Sequence, residues 1–456
     1  MRVTKPSSRS VLAALAVAVV LALVGGVIVA VSGGSKLHEE IASAAHSIPA
    51  ASLEIAGVHH GKGDISKHLR LHVTNGRLTT VKVGHGATRL DGVFNQDRTK
   101  WHSDSRIAPS LDVQAAVQYV DLSHRTTVKH FGIHTKPAKQ TYNDYLSPGG
   151  GVVGIGQPVV VTLDRWVPEK RRAAVQAGLT VTTKPNVVGA WHWMSGQTLH
   201  WRPPSYWKPG TKVRVASNLQ GVSIGHHTYG PVGVHRAKFK IGSAHVSEAD
   251  QAAHVMRVYN NGKLIRTMPI STGRTQYPTM DGVHIALDRR SVVVMDSATV
   301  GIPKGDPDYY RETVYWDVRI SNGGEFVHAA PWSVGSQGSS NVSHGCVNLS
   351  TTNAEWFYNW SRLGDIIDVY NGVRPPELGD AGTSDWNMSW KDWVKGDAAP
   401  TKAALHAHAR PARTYEPGFT PHAKAKAKAK AKRAAQRARH QRRMAKRHTS
   451  AHHHQG

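Results

Sequence analysis

Cysteine is almost absent from this sequence, and acidic residues are scarce. One residue of 456 is cysteine, Cys346. The chain can therefore form no internal disulfide, and a leftover thiol in an exported protein reads as reactive or intermolecular. Asp and Glu number 31 against 57 Lys and Arg, a formal charge of +26. From Pro400 onward 15 Lys or Arg face one Glu, so about half of the excess sits in that last stretch. What precedes it is only moderately basic. A long uncharged apolar run occurs from Val11 to Val31, behind Arg2, Lys5 and Arg9. It exceeds the roughly 7–15 residues of a signal-peptide core and matches the roughly 20 that span a bilayer. No polar face interrupts it, which argues against a buried core helix. No cysteine follows it, which excludes a lipoprotein anchor. The expectation is a single-pass anchor with the N-terminus in the cytoplasm and the rest outside. Cleavage near Ser32 or at Ala42-Ser43-Ala44, giving a secreted chain, is the alternative.

What is present is mainly β. Apolar residues make up 40% of the chain, with 13 Trp and 13 Tyr to fill its cores. Leu69–Val83 alternates apolar and polar residues around Asn75-Gly76, a hairpin cue, and Asp91-Gly92 marks a second turn. His59, His60, His72 and His85 read as scattered surface histidines, not as a metal site. Pro148–Gly151 is a natural boundary. After it, Gln157–Asp164 opens a run of short strands bounded by Gly, Pro or Asn, which suggests a β-sandwich closed by Ala237–Gly242. Trp191, Trp193 and Trp201 read as core residues before they read as a sugar-binding stripe.

From Val255 the chain shows a third β-rich unit. Met256–Ile270 is a hairpin pattern around Asn260-Asn261-Gly262. Asn353–Trp360 is the clearest helix, with Trp356, Phe357 and Trp360 on one face. Between them lies the stretch that carries chemistry, Phe326 to Ser350, with His328 followed by Ser343-His344-Gly345-Cys346. A free thiol is only a few per cent ionised at neutral pH, and a nearby imidazole can take its proton and hold an ion pair. His344 precedes the cysteine by two residues, and His328 can reach it along a strand–loop–strand path. Gly345 permits a sharp turn and close approach, and the N–H groups of Gly345 and Cys346 are candidates to bind an oxyanion. The reaction class is acyl transfer through a thioester. The plainer reading is a buried core cysteine beside incidental histidines.

His328, fourteen residues, then Ser343-His344-Gly345-Cys346-Val347-Asn348 resembles the signature of the L,D-transpeptidases with a YkuD-type catalytic domain. YPTMDGVHIAL, VVVMDSATVGIP, FVHAAPWSVGSQG and NAEWFYNWSRLGDIIDV are similar to the actinobacterial, mycobacterial-type members. GVVGIGQPVVVTLD through WRPPSYWKPGT resembles their second immunoglobulin-like domain, and DWNMSWKDWVKG their short C-terminal segment. The resemblance covers about 150–396 well and 51–147 by position only. It implies two immunoglobulin-like modules at 51–147 and 150–243, a catalytic domain at 250–372 and a packing segment at 373–398. An anchor or signal at 1–35 and a basic tail at 400–456 complete the plan.

The resemblance also implies attack on the bond between the third residue, a diaminopimelate, and the terminal D-Ala of a peptidoglycan stem. A 3→3 cross-link follows, with no metal or organic cofactor. Cys346 matches the nucleophile and His328 the base. His344 shapes the site and Tyr310 covers the oxyanion region, while Met295, Trp332 and Asn348 are substrate-pocket or supporting positions and Ser343 and Gly345 support them. Many relatives carry Ser after the upstream histidine, where this chain has Ala329. If that residue orients His328 through its backbone carbonyl, alanine serves equally. The rivals are a carboxypeptidase that uses water in place of the acceptor amine, and an inactive wall-binding protein.

Lys, Arg and Ala dominate Ala423–Arg447, with charge around every face of any helix, so the tail reads as disordered. It could remain a solvated tail or tether the chain to anionic wall polymers or lipid head groups. Its expected position outside the membrane argues against nucleic acid. His452–His454 is too short a tract to claim a metal.

Overall fold

The computed structural model describes residues 49–378 and 384–409. The apolar run at 11–31 and most of the basic tail lie outside them. Among the described residues no helix is long and apolar enough to cross a membrane.

Two sandwiches come first. In the first, a four-stranded sheet (Ser52–Ala56, His68–Thr74, Lys100–Arg106, Gly92–Phe94) faces a five-stranded one that contains Gly76–Val83, Asp112–Asp121 and Thr126–His134. Alternation drives this: Leu69, Leu71 and Val73 from one sheet meet Leu78, Val113, Val117 and Ile133 from the other. Asn75-Gly76 does not make the expected hairpin. His68–Thr74 pairs with Ser52–Ala56 and Lys100–Arg106, whereas Gly76–Val83 pairs with Asp112–Asp121. The turn carries the chain from one sheet to the other, with Asn75 at φ 55°. A Cβ on Gly76 would meet the Val120 carbonyl oxygen at 2.4 Å, so the crossing needs glycine.

The second sandwich stacks Asp144–Ser147, Val159–Leu163, Thr198–Arg202 and Ala190–Trp193 on Val152–Val153, His235–Ile241, Lys212–Ser217 and Leu179–Lys184. Asp144–Ser147, expected before the boundary, pairs with Val159–Leu163 and belongs to this module. Trp191, Trp193 and Trp201 lie in its core. The helix Glu169–Gln176 was not anticipated.

The catalytic unit also starts earlier than expected. His245–Asp250 is the middle strand of a five-stranded sheet, between Val255–Asn260 and Ile366–Tyr370. Val255–Asn260 and Lys263–Pro269 form the expected hairpin, with Asn261 and Gly262 at φ 47° and 74°. A second sheet (Asp288–Asp296, Arg311–Arg319, Phe326–Ala329, Val347–Leu349) faces it. Between them lie Met256, Val258, Val318, Val327, Val347 and Phe357, the last from the helix Thr351–Trp360 capped by Ser350.

Ile285 and Ile366 of this unit reach into the core of the second sandwich, so the two share apolar packing. The C-terminal segment straps both. Asn387 exchanges two hydrogen bonds of 2.9 Å with the backbone of Val283. Trp393, fully buried, donates to the Ala190 carbonyl at 3.0 Å. The segment runs further than expected: Lys402–His406 is helical and buries Ala404, because Trp390 packs there and donates to the Ala404 carbonyl.

Candidate active site

Three adjacent strands carry the site. Phe326–Ala329 pairs antiparallel with Arg311–Arg319 and parallel with Val347–Leu349, which sets His328 opposite Asn348. Strand alternation then places His328, Asn348 and Cys346 on one face. That face floors a cleft of about 240 Å³. Met295, Tyr310, Glu312, Trp332, Ser343 and His344 also line it, with Val314 and Val342. The structure thus brings together every side chain expected at the site.

His328 Nδ1 lies 2.9 Å from the Ala329 carbonyl oxygen. A carbonyl only accepts, so Nδ1 carries the hydrogen and Nε2 keeps its lone pair. Burial pushes His328 down to about 4, opposed by hydrogen bonds to the Ala329 carbonyl and Asn348. Burial pushes the Cys346 thiol up to about 12; a backbone hydrogen bond at Phe326 opposes this, and the Glu325 and Asp317 carboxylates add to it. The resting site is therefore a neutral thiol and a neutral imidazole. Burial, which cuts both partners off from water, disfavours the expected thiolate–imidazolium pair.

Asp317 was not singled out from the sequence. Pairing runs from Tyr315 opposite Ala329 to Val318 opposite Val327, so Trp316 and Asp317 both stand against His328 in a β-bulge. Trp316 is at φ 59°. Asp317 is 1% exposed, and among the described residues neither carboxyl oxygen has a hydrogen-bond partner. Burial raises it to about 7.

The Ser-His-Gly-Cys turn is stapled from within. Ser343 Oγ accepts from the Gly345 N–H at 3.1 Å and donates to the Cys346 carbonyl at 2.6 Å. Thr279 Oγ1 donates to the Gly345 carbonyl at 2.8 Å. Gly345 sits at φ 123°, which side chains disfavour. Its N–H is committed to Ser343, which removes it from the expected oxyanion pair.

His344 lies between the rings of Tyr277 and Tyr310, with centroids 5.0 and 4.8 Å away. Burial and the nearby Arg274 lower its pKa, and Asp308 opposes them. Asp308 pairs with Arg274 and accepts from the Tyr277 hydroxyl at 3.0 Å. The Tyr310 phenol is pushed up to about 12, by burial first and then by Cys346 and Glu312. Asn348 Nδ2 donates to the buried Ser333 Oγ at 3.1 Å. Trp332 stands at the exposed rim. Tyr277, Asp308 and Ser333 are not singled out by the sequence, although Tyr277 and Ser333 lie in YPTMDGVHIAL and FVHAAPWSVGSQG; the fold brings all three close.

A cysteine at the mouth of one strand, behind a glycine turn, and a tautomer-fixed histidine on the adjacent parallel strand define a thiol acyltransferase site. Residues 244–369 match the sequence profile of the L,D-transpeptidase catalytic domain (YkuD). Residues 62–223 match that of a bacterial Ig domain, a span that crosses both sandwiches. The chain belongs to the L,D-transpeptidase family and is an enzyme of that class. It is 42% identical over 317 residues to L,D-transpeptidase 2 of Mycobacterium tuberculosis, covering 69% of this chain and 77% of that one. L,D-transpeptidase 1 of the same species is 40% identical over 225 residues, 49% of this chain and 83% of the relative. The solved imipenem complex of LdtMt1 is 39% identical, covering 50% of this chain and 97% of that one, with a TM-score of 0.44.

Proposed function

We propose that this enzyme forms 3→3 cross-links in peptidoglycan through an acyl-enzyme on Cys346. The observation that carries the reading is the fixed tautomer of His328, which keeps a lone pair on Nε2 in the cleft that holds the chain's one thiol.

Cys346 Sγ attacks the carbonyl carbon between diaminopimelate and the terminal D-Ala of a tetrapeptide stem. As the S–C bond forms, the thiol proton passes to His328 Nε2 and the carbonyl electrons move to oxygen. The proton moves with the attack, because neither group is charged at rest. Donors for the oxyanion are the Cys346 N–H and the Tyr310 hydroxyl, which burial keeps protonated. On collapse the C–N bond breaks, and the leaving amine of D-Ala takes the proton from His328. The side-chain amine of an acceptor stem then attacks the thioester and yields a proton to His328. The C–S bond breaks and the sulfur recovers the proton. Ser343 and Gly345 hold the turn, His344 walls the cleft, and Met295, Trp332 and Asn348 hold substrate or support its contacts. We place this chemistry on the outer side of a membrane to which 11–31 anchors the chain.

Imipenem offers a strained carbonyl to the same nucleophile. Intact mass after incubation should show one adduct, lost in Cys346→Ala. A folded wild-type chain with no adduct, or with the adduct retained in that variant, would overturn the assignment of Cys346.

A further inference from the structure

The second sandwich turns one face to solvent, and that face is cationic. On its outer side the sheet of Leu179–Lys184, Lys212–Ser217 and His235–Ile241 aligns three rows by register. Lys184, Lys212 and Lys240 form one row, Thr182, Arg214 and Lys238 the next, and Thr180, Ala216 and Arg236 the third. All six Lys and Arg are exposed, and none is in an ion pair among the described residues. The inner face alternates with them and is apolar: Val213, Val215, Ala237 and Phe239 are buried. No Asp or Glu lies in these three strands. The scarcity extends through the module: 150–243 contains 12 Lys or Arg against two acids, Asp164 and Glu169. Asp164 is taken up by the backbone and side chain of Asn143.

Like charges directly opposite one another across a sheet repel and destabilise it. A solvated face tolerates this more readily when acids are interspersed, and here none are. Spacing is regular: about 5 Å across the strands and about 7 Å between successive outward residues. A single-sign grid, uncovered among the described residues, complements an extended chain carrying a negative charge every few ångströms, and it concentrates such a polymer on the surface.

We propose that this face binds a linear phosphodiester polyanion and so holds the enzyme against an anionic polymer while the catalytic cleft works on peptides. The site is separate from the cleft and does not depend on how Cys346 reacts.

The test uses the full-length chain in detergent, so the basic tail is present throughout and cancels. Lys212→Gln, Arg214→Gln and Lys238→Gln are combined, and the control combines Lys67→Gln, Lys82→Gln and Lys129→Gln, exposed cations of the first module. The two variants lose equal charge. Binding to immobilised inorganic polyphosphate is measured against salt. The face variant should bind at least tenfold more weakly at 0.1 M salt, with a shallower salt dependence, while the control stays within about twofold. Equal losses in both variants would reduce the effect to net charge and overturn the proposal. So would a face variant that retains polyphosphate binding and loses only binding to phosphatidylglycerol vesicles, which would make the surface a membrane contact. Melting temperature verifies that each variant is folded, and imipenem acylation should be the same in all three.

Discussion

The imidazole of His328 is aimed by the carbonyl oxygen of the next residue, Ala329, 2.9 Å from Nδ1. The backbone makes this contact, so the side chain at 329 has no part in it. Ala329→Ser should leave kcat/KM within about twofold. It should cost on the order of 1 kcal/mol of stability, because the methyl of Ala329 packs in the core between the sheets. A large rate gain in steady-state assays would show that a hydroxyl is missing from the site.

Cys346 is held as a thiol by burial and by the Glu325 and Asp317 carboxylates. Alkylation by iodoacetamide should be slow at pH 7 and climb about tenfold per pH unit toward pH 10. A rate flat from pH 5 to 9 would instead reveal a preformed thiolate. Asp317 ionises near 7, so Asp317→Asn should speed alkylation several-fold above pH 7 and barely change it at pH 5.

The same carboxyl links stability to pH. Its folded pKa of about 7 exceeds its ordinary 3.8, so the folded state binds the proton more tightly than the unfolded one. Its contribution is fully present below pH 3.8 and is lost as pH rises through 7. Asp317→Asn removes that dependence. The variant's advantage over wild type in denaturant melts should grow between pH 4 and 8 by on the order of 3 kcal/mol. A gap independent of pH would mean that the carboxyl is ionised throughout.

Ser343 closes the turn before Cys346 with two hydrogen bonds, to the Gly345 N–H and the Cys346 carbonyl. Ser343→Ala leaves both groups buried and unmatched, at about 1–3 kcal/mol each. It should cut kcat at least tenfold while Cys346 stays open to alkylation. Unchanged turnover would make the hydroxyl dispensable.

Arg202 lies under three indoles of the C-terminal segment, 4.8, 5.4 and 4.4 Å from the rings of Trp386, Trp390 and Trp393. Trp393→Ala should destabilise the chain by about 3–5 kcal/mol. It should lower the melting temperature far more than it lowers kcat at 25 °C, since this strap is remote from the cleft.

Local features were legible in the sequence. The Asn261-Gly262 hairpin, the helix Thr351–Trp360 and the buried tryptophans follow from spacing and composition alone. Ser343 to Asn348 marks the nucleophile because its residues are contiguous. What escaped depends on partners distant in the chain. Asn75-Gly76 looks like a hairpin until pairing shows that its strands enter different sheets. Asp144–Ser147 changes module and His245–Asp250 joins the catalytic unit for the same reason, as their neighbours lie at Val159–Leu163 and Ile366–Tyr370. Asp317 stands against His328 only because of a bulge, and nothing in WDVR signals one. The neutral ground state of the thiol and imidazole also required burial, which no motif records.

The most direct test of the account is product analysis with a diaminopimelate tetrapeptide stem as both donor and acceptor. The account predicts one D-Ala released per dimer, a dimer with the mass of two stems less D-Ala, and neither product with Cys346→Ala. Release of D-Ala with tripeptide alone would show that water takes the acyl group and would contradict cross-linking as the function.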